Sequence, residues 1–210
     1  MPETVTRNLP VLALRGVTAF PGQTVSFDVE REISIYALDN AMESDRRIFA
    51  ITQKELSTSE PGERDLYAVG TVCHILQIVK TSDTTVRVVV EGESRARLLR
   101  LWQTQPFLQG QAELLPEQPA RSTARTEALL RRTYVLFDDY RQLASGLSDD
   151  FTAAVLDCRD AGELADLIAQ NITLRHQDRQ RVLEELHPEK RLRLVNDILT
   201  HEVDVLSLES

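Results

Sequence analysis

Cysteine is scarce in this chain, which contains only Cys73 and Cys158. Two cysteines that lie far apart in apolar surroundings do not form a disulfide framework, and two buried free thiols are the favoured interpretation. Long apolar runs are also missing. No stretch approaches the ~18 apolar residues of a membrane-spanning helix, and no apolar segment follows a basic amino terminus as in a signal peptide. The sequence therefore predicts a protein of the reducing cytoplasm with no membrane partner.

Positive charge and aromatic residues are in short supply. The net charge is −9, both halves carry more acidic than basic residues, and aromatics make up 5% of the chain. Two basic clusters occur, one formed by Arg95, Arg97 and Arg100 and one by Lys190, Arg191 and Arg193. Acidic neighbours such as Glu91 and Glu93 are expected to balance the first. Since stacking aromatics are few, no nucleic-acid partner is expected.

Recognisable catalytic motifs are missing. None of the three lysines follows a glycine, so a G-x-x-x-x-G-K-[ST] loop for ATP phosphates is excluded. There is no G-x-S-x-G nucleophile motif, and His201-Glu202 has no second histidine four residues on to complete a zinc-binding H-E-x-x-H. The sequence predicts no catalytic residue and no cofactor site in this chain.

Metal-ligating arrangements are not found either. Cys73 and His74 are adjacent on a predicted strand, so their side chains point to opposite faces and cannot share an ion. The acidic pairs at 138–139 and 149–150 lie on predicted helices, where neighbouring side chains diverge by roughly 100°. Solvated helix faces explain these pairs better than acid–base chemistry, and no metal site is predicted.

The most informative stretch is residues 9–30, which read LPVLALRGVTAFPGQTVSFDVE. Its apolar start contains Pro10, which is tolerated only at the beginning or edge of a strand. Gly16 and Pro21-Gly22 are strong turn signals, and residues 25–29 alternate between apolar and polar. The pattern predicts an opening pair of strands joined by a connection that presents Phe20 near its tip.

Further strands are predicted up to residue 117. A helix is expected over 31–45, followed by strands at 48–52, 69–79, 86–90, around 98–101 and at 107–115, with a mobile loop at 55–66. Residues 69–79 carry apolar side chains on both faces, which is typical of a closed or covered sheet. Residues 1–117 are therefore predicted to form a small, curled β-barrel lobe.

Composition changes after Pro116 and Pro119, where helical periodicity replaces strand alternation. Helices are predicted over 126–144, 151–157, from a capping box at Asp160 and Glu163, over 177–186, and from Pro188 to the end. Residues 118–210 are therefore predicted to be a helical lobe that ends in a long helix, and the fold class is α+β.

The last predicted helix is apolar on two sides. One stripe contains Leu192, Val195, Leu199 and Leu206, and the other contains Leu194, Ile198, Val205 and Leu208. Either one stripe contacts a partner, or both are buried between neighbouring helices. No capping glycine or other stop signal occurs near Ser210, so the helix is expected to continue in a longer native chain.

Several blocks occur in an order that resembles the amino-terminal substrate-binding domain of bacterial ATP-dependent Lon proteases. They lie at 9–15, 20–22, 67–72, 90–92, 95–97, 164–169, 180–184 and 201–209. The resemblance implies a β pseudo-barrel of the PUA-like kind followed by a helical bundle. It also implies a parent that is an endopeptidase with a Ser–Lys dyad, a homo-hexamer whose ATPase module, using ATP and magnesium, lies beyond Ser210. The fragment itself is expected to be a monomer or weak dimer.

The resemblance implies a non-catalytic recognition module for unfolded, damaged or degron-bearing polypeptides. Exposed apolar side chains would select segments that folded proteins hide. The candidate contact residues are Phe20 and Pro21 at the first turn and Leu66 and Tyr67 beside the polar loop; alternatively, Phe20 and Tyr67 simply close the ends of the barrel. A standalone LON-domain adaptor or small-ligand-binding protein is the alternative function. An RNA-binding PUA-like module fits the acidic composition poorly.

Overall fold

The computed structural model describes residues 3–210. Within this range the chain divides into two compact units, of which the first ends at Glu117 and the second comprises Gln118–Ser210. The six strands and one α-helix of the described chain lie in the first unit, and its other five α-helices lie in the second. The predicted α+β class, with a β-rich part followed by helices, is confirmed.

One six-stranded sheet forms the first unit. Its strands are β1 (Thr6–Leu14), β2 (Thr24–Val29), β3 (Arg47–Thr52), β4 (Val69–Lys80), β5 (Val86–Gln103) and β6 (Gln109–Leu115). Their spatial order is β2-β5-β4-β3-β1-β6, and β6 pairs again with β5. Five strands therefore close into a ring, while β2 extends the sheet beyond β5. Only β1 and β3 run parallel among these pairs of described strands.

Strand β5 serves two parts of the sheet. Its first residues pair with β2, and Arg95–Gln103 pair with β6, while β4 lies alongside from Val86 to Arg97. The prediction of two separate strands in this region is wrong. Gly92 does not turn the chain but remains extended within the strand, so the two predicted segments are continuous.

The opening strands β1 and β2 do not pair with each other. β1 lies between β3 and β6, and β2 lies beside β5. The two predicted strands are present, and they lie apart in the sheet because the connection makes two separate bends. Gly16 and Gly22 take φ angles of 67° and 76° at these bends, values that glycine adopts without strain.

Both faces of the central strands are buried. Alternation along β1 sends Leu12 and Leu14 into one apolar cluster and Val11 and Ala13 into another. Helix α1 (Glu32–Met42) covers the first cluster with Ala37 and neighbouring apolar residues. The second cluster contains side chains from β1, β3, β4, β5 and β6. The prediction of a covered or closed sheet is confirmed.

The second unit contains helices only. They are α2 (Ala124–Leu143), α3 (Asp149–Asp157), α4 (Ala161–Asn171), α5 (His176–Glu184) and α6 (Pro188–Glu209). Thr123, Ser148 and Asp160 cap α2, α3 and α4 by accepting hydrogen bonds from backbone N–H groups. The predicted cap at Asp160 is confirmed, with 2.9 Å between its Oδ1 and the N of Glu163. No helix in residues 3–210 is sufficiently long and apolar to cross a membrane.

Helix α6 packs mainly on α2 and α4. Leu192, Val195 and Leu199 from the first predicted stripe are buried, and so is Ile198 from the second. Beyond Thr200 the apolar side chains are partly exposed, and Leu208 is 88% exposed. Both stripes are therefore used near the start of α6, and neither is fully covered near its end within the second unit.

Candidate functional site

The four residues predicted to contact polypeptides all lie in the first unit. Phe20 is 0% exposed and Leu66 is 3% exposed, whereas Pro21 and Tyr67 are partly buried. The prediction of exposed apolar side chains is therefore wrong for Phe20 and Leu66. A binding role for Pro21 and Tyr67 stays a prediction.

Phe20 is buried because its backbone crosses closely over β5. A Cβ atom at Gly92 would overlap the carbonyl oxygen of Phe20, and Pro21 forms a bridge with Gly92. On the preceding side, the hydroxyl of Thr71 donates to the carbonyl oxygen of Ala19 at 2.6 Å. The segment is thus fixed against the sheet, and the Phe20 ring points into the protein.

Leu66 and Tyr67 are fixed at the carboxyl end of β3. Leu66 belongs to the buried cluster that contains Phe49 and forms an isolated bridge with Gln53. The N–H of Tyr67 donates to the carbonyl oxygen of Thr52 at 3.0 Å. The polar loop therefore returns to the sheet at Leu66, and this return directs the leucine side chain inward.

A groove that sequence reasoning missed lies beside the end of β2. It has a volume of about 300 Å³. Its walls come from β1 and the residues after it, from the end of β2, and from the start of α1. The lining residues are Leu12, Ala13, Leu14, Arg15, Val17, Phe27, Asp28, Val29, Glu30, Arg31 and Ser34. This set is called the β2 groove below.

Arg31 fixes one wall of the β2 groove. Its Nη2 donates to the carbonyl oxygen of Ala13 at 2.6 Å, and its Nη1 donates to Oε1 of Gln53 at 3.0 Å. Gln53 is fully buried, and its amide donates to the carbonyl oxygens of Glu55 and Thr58 at 2.8 Å each. One arginine and one glutamine therefore join β1, the start of α1 and the loop after β3.

The same wall carries two arginines, Arg15 and Arg31. Burial lowers the pKa of Arg31, and the nearby guanidinium of Arg15 lowers it further. Arg15 donates to the carbonyl oxygen of Thr58 at 3.3 Å, and no ion pair joins either arginine to a carboxylate within residues 3–210. Asp28, which also lines the groove, pairs with Arg87 at 3.0 Å.

The groove is equipped for binding by shape, hydrogen bonds and charge. Its lining contains no cysteine, histidine or lysine. Elsewhere, burial raises the pKa of the Cys73 thiol strongly and that of Cys158 to a smaller extent, so neither is an activated nucleophile. The described residues contain no group of three His, Cys, Asp or Glu side chains that could hold a metal ion.

One arginine of each basic cluster is buried. Arg95 is 2% exposed and lies 3.7 Å from a carboxylate oxygen of Glu117. Glu93, which was expected to balance this cluster, instead pairs with Arg47 at 2.6 Å. Arg191 is fully buried in the second unit. A buried guanidinium cannot contact an external phosphate, and this observation weakens both clusters as nucleic-acid surfaces.

A second, larger cavity of about 610 Å³ lies in the helical unit. The starts of α2 and α6 line it, together with the preceding residues 118–121. Thr123 and His187 are the N-caps of these helices. None of its lining residues belongs to a strand, which distinguishes it from the β2 groove.

Comparison with curated proteins gives relatives along the whole chain. The chain is 36% identical to Lon protease of Clostridioides difficile over 209 residues, which cover 98% of this chain and 27% of the relative. It is 35% identical to Lon protease 1 of Bacillus subtilis, with 100% and 27% covered. It is 38% identical to Lon protease of Syntrophomonas wolfei, with 97% and 25% covered. The chain thus spans about a quarter of the length of these relatives.

Solved structures share the fold. The N-terminal domain of a Mycobacterium avium complex Lon protease matches 92% of this chain and 98% of its own with a TM-score of 0.73 at 21% identity. A Lon N-terminal domain protein from Xanthomonas campestris matches 89% and 95% with a TM-score of 0.60 at 17% identity. The family model of the ATP-dependent protease La (LON) substrate-binding domain matches residues 8–201. The chain therefore belongs to the Lon substrate-binding domain family.

Proposed function

We propose that this chain is the substrate-recognition module of an ATP-dependent Lon protease and that it binds unfolded, damaged or degron-bearing polypeptides. The observation that carries the proposal is the match of residues 8–201 to the substrate-binding domain model. The β2 groove adds support, because it is partly apolar and lies beside an unpaired strand edge. Such a site favours extended, disordered chains over folded proteins.

The parent protein of this proposal supplies the chemistry that the chain lacks. In it, a downstream module hydrolyses ATP with magnesium, and a serine and a lysine cleave peptide bonds. The relatives, of which this chain spans about a quarter, are named as Lon proteases. We propose that the parent works in the cytoplasm as a homo-hexamer and that this module brings substrates to the ring and supports its assembly.

The alternative function is that of a small-ligand binder or adaptor. The cavity of about 610 Å³ between the starts of α2 and α6 favours it, because small-molecule sites typically measure ~300–1,000 Å³. Its residues Arg121, Arg125 and His187 would suit an anionic ligand. This function predicts no preference for unfolded over folded proteins.

The test is a comparison of one protein in two states. A reduced, carboxymethylated protein labelled with a fluorophore is titrated with this chain, and its anisotropy is compared with that of the same labelled protein in its native fold. The proposal predicts binding of the unfolded form and at least about tenfold weaker binding of the native form. Equal affinity for the two forms would remove the proposal.

A further inference from the structure

Strand β2 has a free edge. It pairs with β5 through Thr24–Val29, and no other strand of the described chain pairs with it. In an antiparallel ladder, alternate residues direct both N–H and C=O away from the partner strand. About half of β2 therefore offers unpaired backbone groups. Proteins often protect such an edge with proline, lysine or a bulge, but β2 contains neither residue and its pairing with β5 is regular.

The β2 groove lies directly beside this strand. Phe27 and Val29 contribute apolar side chains from β2, and Leu12 and Leu14 contribute theirs from β1. The polar side chains of β2 alternate with these and are exposed. A chain that added to the edge of β2 would direct every second side chain toward the apolar lining, because strand side chains alternate between faces.

The charge at one wall of the groove indicates which side chains a bound segment carries. Arg15 and Arg31 both line this wall, and neither forms an ion pair within the described chain. Burial lowers the pKa of Arg31, and repulsion from Arg15 lowers it further. Of the two acidic residues of the groove, Asp28 pairs with Arg87, whereas Glu30 accepts a hydrogen bond from the neutral hydroxyl of Thr85 at 3.4 Å. A carboxylate from a ligand would relieve the repulsion and accept hydrogen bonds from guanidinium groups.

From these observations we propose that the β2 groove binds an extended polypeptide segment as an additional strand on β2. The segment has apolar residues at alternate positions and an acidic side chain that contacts Arg15 and Arg31. The proposal rests on the proposed function and names the substrate class and the binding mode. Backbone hydrogen bonds to β2 supply affinity that is independent of side-chain sequence, and the apolar lining and the two arginines supply the preference.

The length of β2 sets the size of the recognised segment. Six residues at about 3.3 Å each span about 20 Å. A segment of about six residues can therefore pair along the whole edge. Folded proteins usually shorten, charge or cover their strand edges, whereas an unfolded chain offers its backbone freely, so the binding mode itself favours unfolded chains.

The backbone part of the proposal is tested with paired peptides. A fluorescein-labelled decapeptide alternates valine or phenylalanine with serine and contains one aspartate. Two further versions carry N-methyl groups on alternate backbone amides, one on the odd positions and one on the even positions. Strand addition uses only one set of amides, so one version is expected to bind at least about tenfold more weakly than the other. Equal affinity of the two versions would overturn strand addition, since they have the same composition.

The charge part is tested with Arg15→Gln, because Arg15 is exposed and makes no contact within the core. The matched control is Arg100→Gln, which removes an exposed arginine of the same unit that does not line the groove. Asparagine in place of the peptide aspartate is expected to weaken binding about fivefold to the unchanged protein and to the control. Arg15→Gln should discriminate less between the two peptides than the unchanged protein does, because only Arg31 is left to contact the carboxylate. If it discriminates as well as the unchanged protein, the charge assignment is wrong.

Different results would contradict the proposed function and the proposed strand addition. If unfolded protein binds and the odd and even methylated peptides bind equally, the proposed function stands and strand addition is wrong. If neither unfolded protein nor any peptide binds, both fail. Slower hydrogen exchange at the backbone amides of Thr24–Val29 on peptide addition provides a second readout, which supports strand addition when present and contradicts it when exchange is unchanged.

Discussion

The two units satisfy their backbone groups in different ways. In the first unit, strand ladders pair most carbonyl oxygens, and one open position at Ala13 is filled by Arg31. In the second unit, helix ends depend on individual side chains. Arg179 donates to the carbonyl oxygen of Ile172 after α4, and Arg191 donates to that of Glu185 after α5, at 2.6 and 2.7 Å. The sheet thus distributes its backbone bonds, while the helical unit concentrates them in a few arginines.

The largest expected effect follows from this concentration in the helical unit. Arg191 is fully buried and lies 3.5 Å from the buried carboxylate of Asp166. Arg191→Ala should lower the free energy of unfolding by about 3–5 kcal/mol, because it leaves a buried charge without its cation. Circular dichroism at 222 nm during denaturant unfolding measures the change.

The control for Arg191 is two residues away on the same helix. Arg193 is exposed and pairs with Glu189 one turn earlier. Arg193→Ala should cost no more than about 0.5 kcal/mol. Similar losses for the two variants would contradict the contrast between a buried arginine and a surface one.

In the first unit, we expect the largest loss of stability from a substitution at Gly92, where the backbones of Phe20 and β5 cross. Gly92→Ala places a Cβ atom against the carbonyl of Phe20, and we expect a loss of about 2–3 kcal/mol because the crossing segment must move. Fluorescence of Trp102, the single tryptophan, reports unfolding of this unit. Gly62→Ala is the control, since its Cβ would make only an ordinary contact with Asp65. If the denaturant midpoint of unfolding were the same for Gly92→Ala and the unchanged protein, the close contact between Phe20 and Gly92 would be contradicted.

The smallest expected effect is a difference in the rate of thiol modification between the two cysteines, one of which lies in each unit. Cys73 is fully buried and Cys158 only partly, and burial raises the pKa of both thiols, that of Cys73 more. Titration of the folded chain with a thiol reagent at about pH 8 should therefore modify Cys158 slowly and leave Cys73 intact. Denaturant should expose both, and Cys158→Ala should remove the slow reaction. Equal rates for two thiols in the folded chain would contradict the buried position of Cys73.

Local features were predictable from the sequence. The helical periodicity of α2, the cap at Asp160 and the proline that opens α6 all depend on residues within a few positions of one another. Such signals survive folding, because they are complete within one helix. The apolar residues on both faces of β4 likewise predicted a covered sheet.

Long-range features were not predictable in the same way. Thr6 pairs with Glu113, and nothing near either residue specifies that partner. In β4, a register shift between Ile75 and Gln77 changes the alternation, so Leu76 and Val79 are exposed although the pattern placed them on covered faces.

The β2 groove was missed for a related reason. Arginine usually indicates surface in a sequence, so the bonds from Arg31 to Ala13 and Gln53 could not be inferred from composition or spacing. Phe20 was misplaced because its burial depends on a crossing with Gly92, more than 70 residues later in the chain.

The closed ring of five strands affects how this domain folds while it is being synthesised. β1 is made first, but one of its neighbours is β6, which ends at Leu115. The nascent chain must therefore release about 115 residues before the ring can close, and until then the apolar first strand lacks one partner. Loop closure over such a distance slows folding and leaves the strand open to association with other chains. During translation this domain therefore passes through a partly folded state in which an apolar strand is exposed.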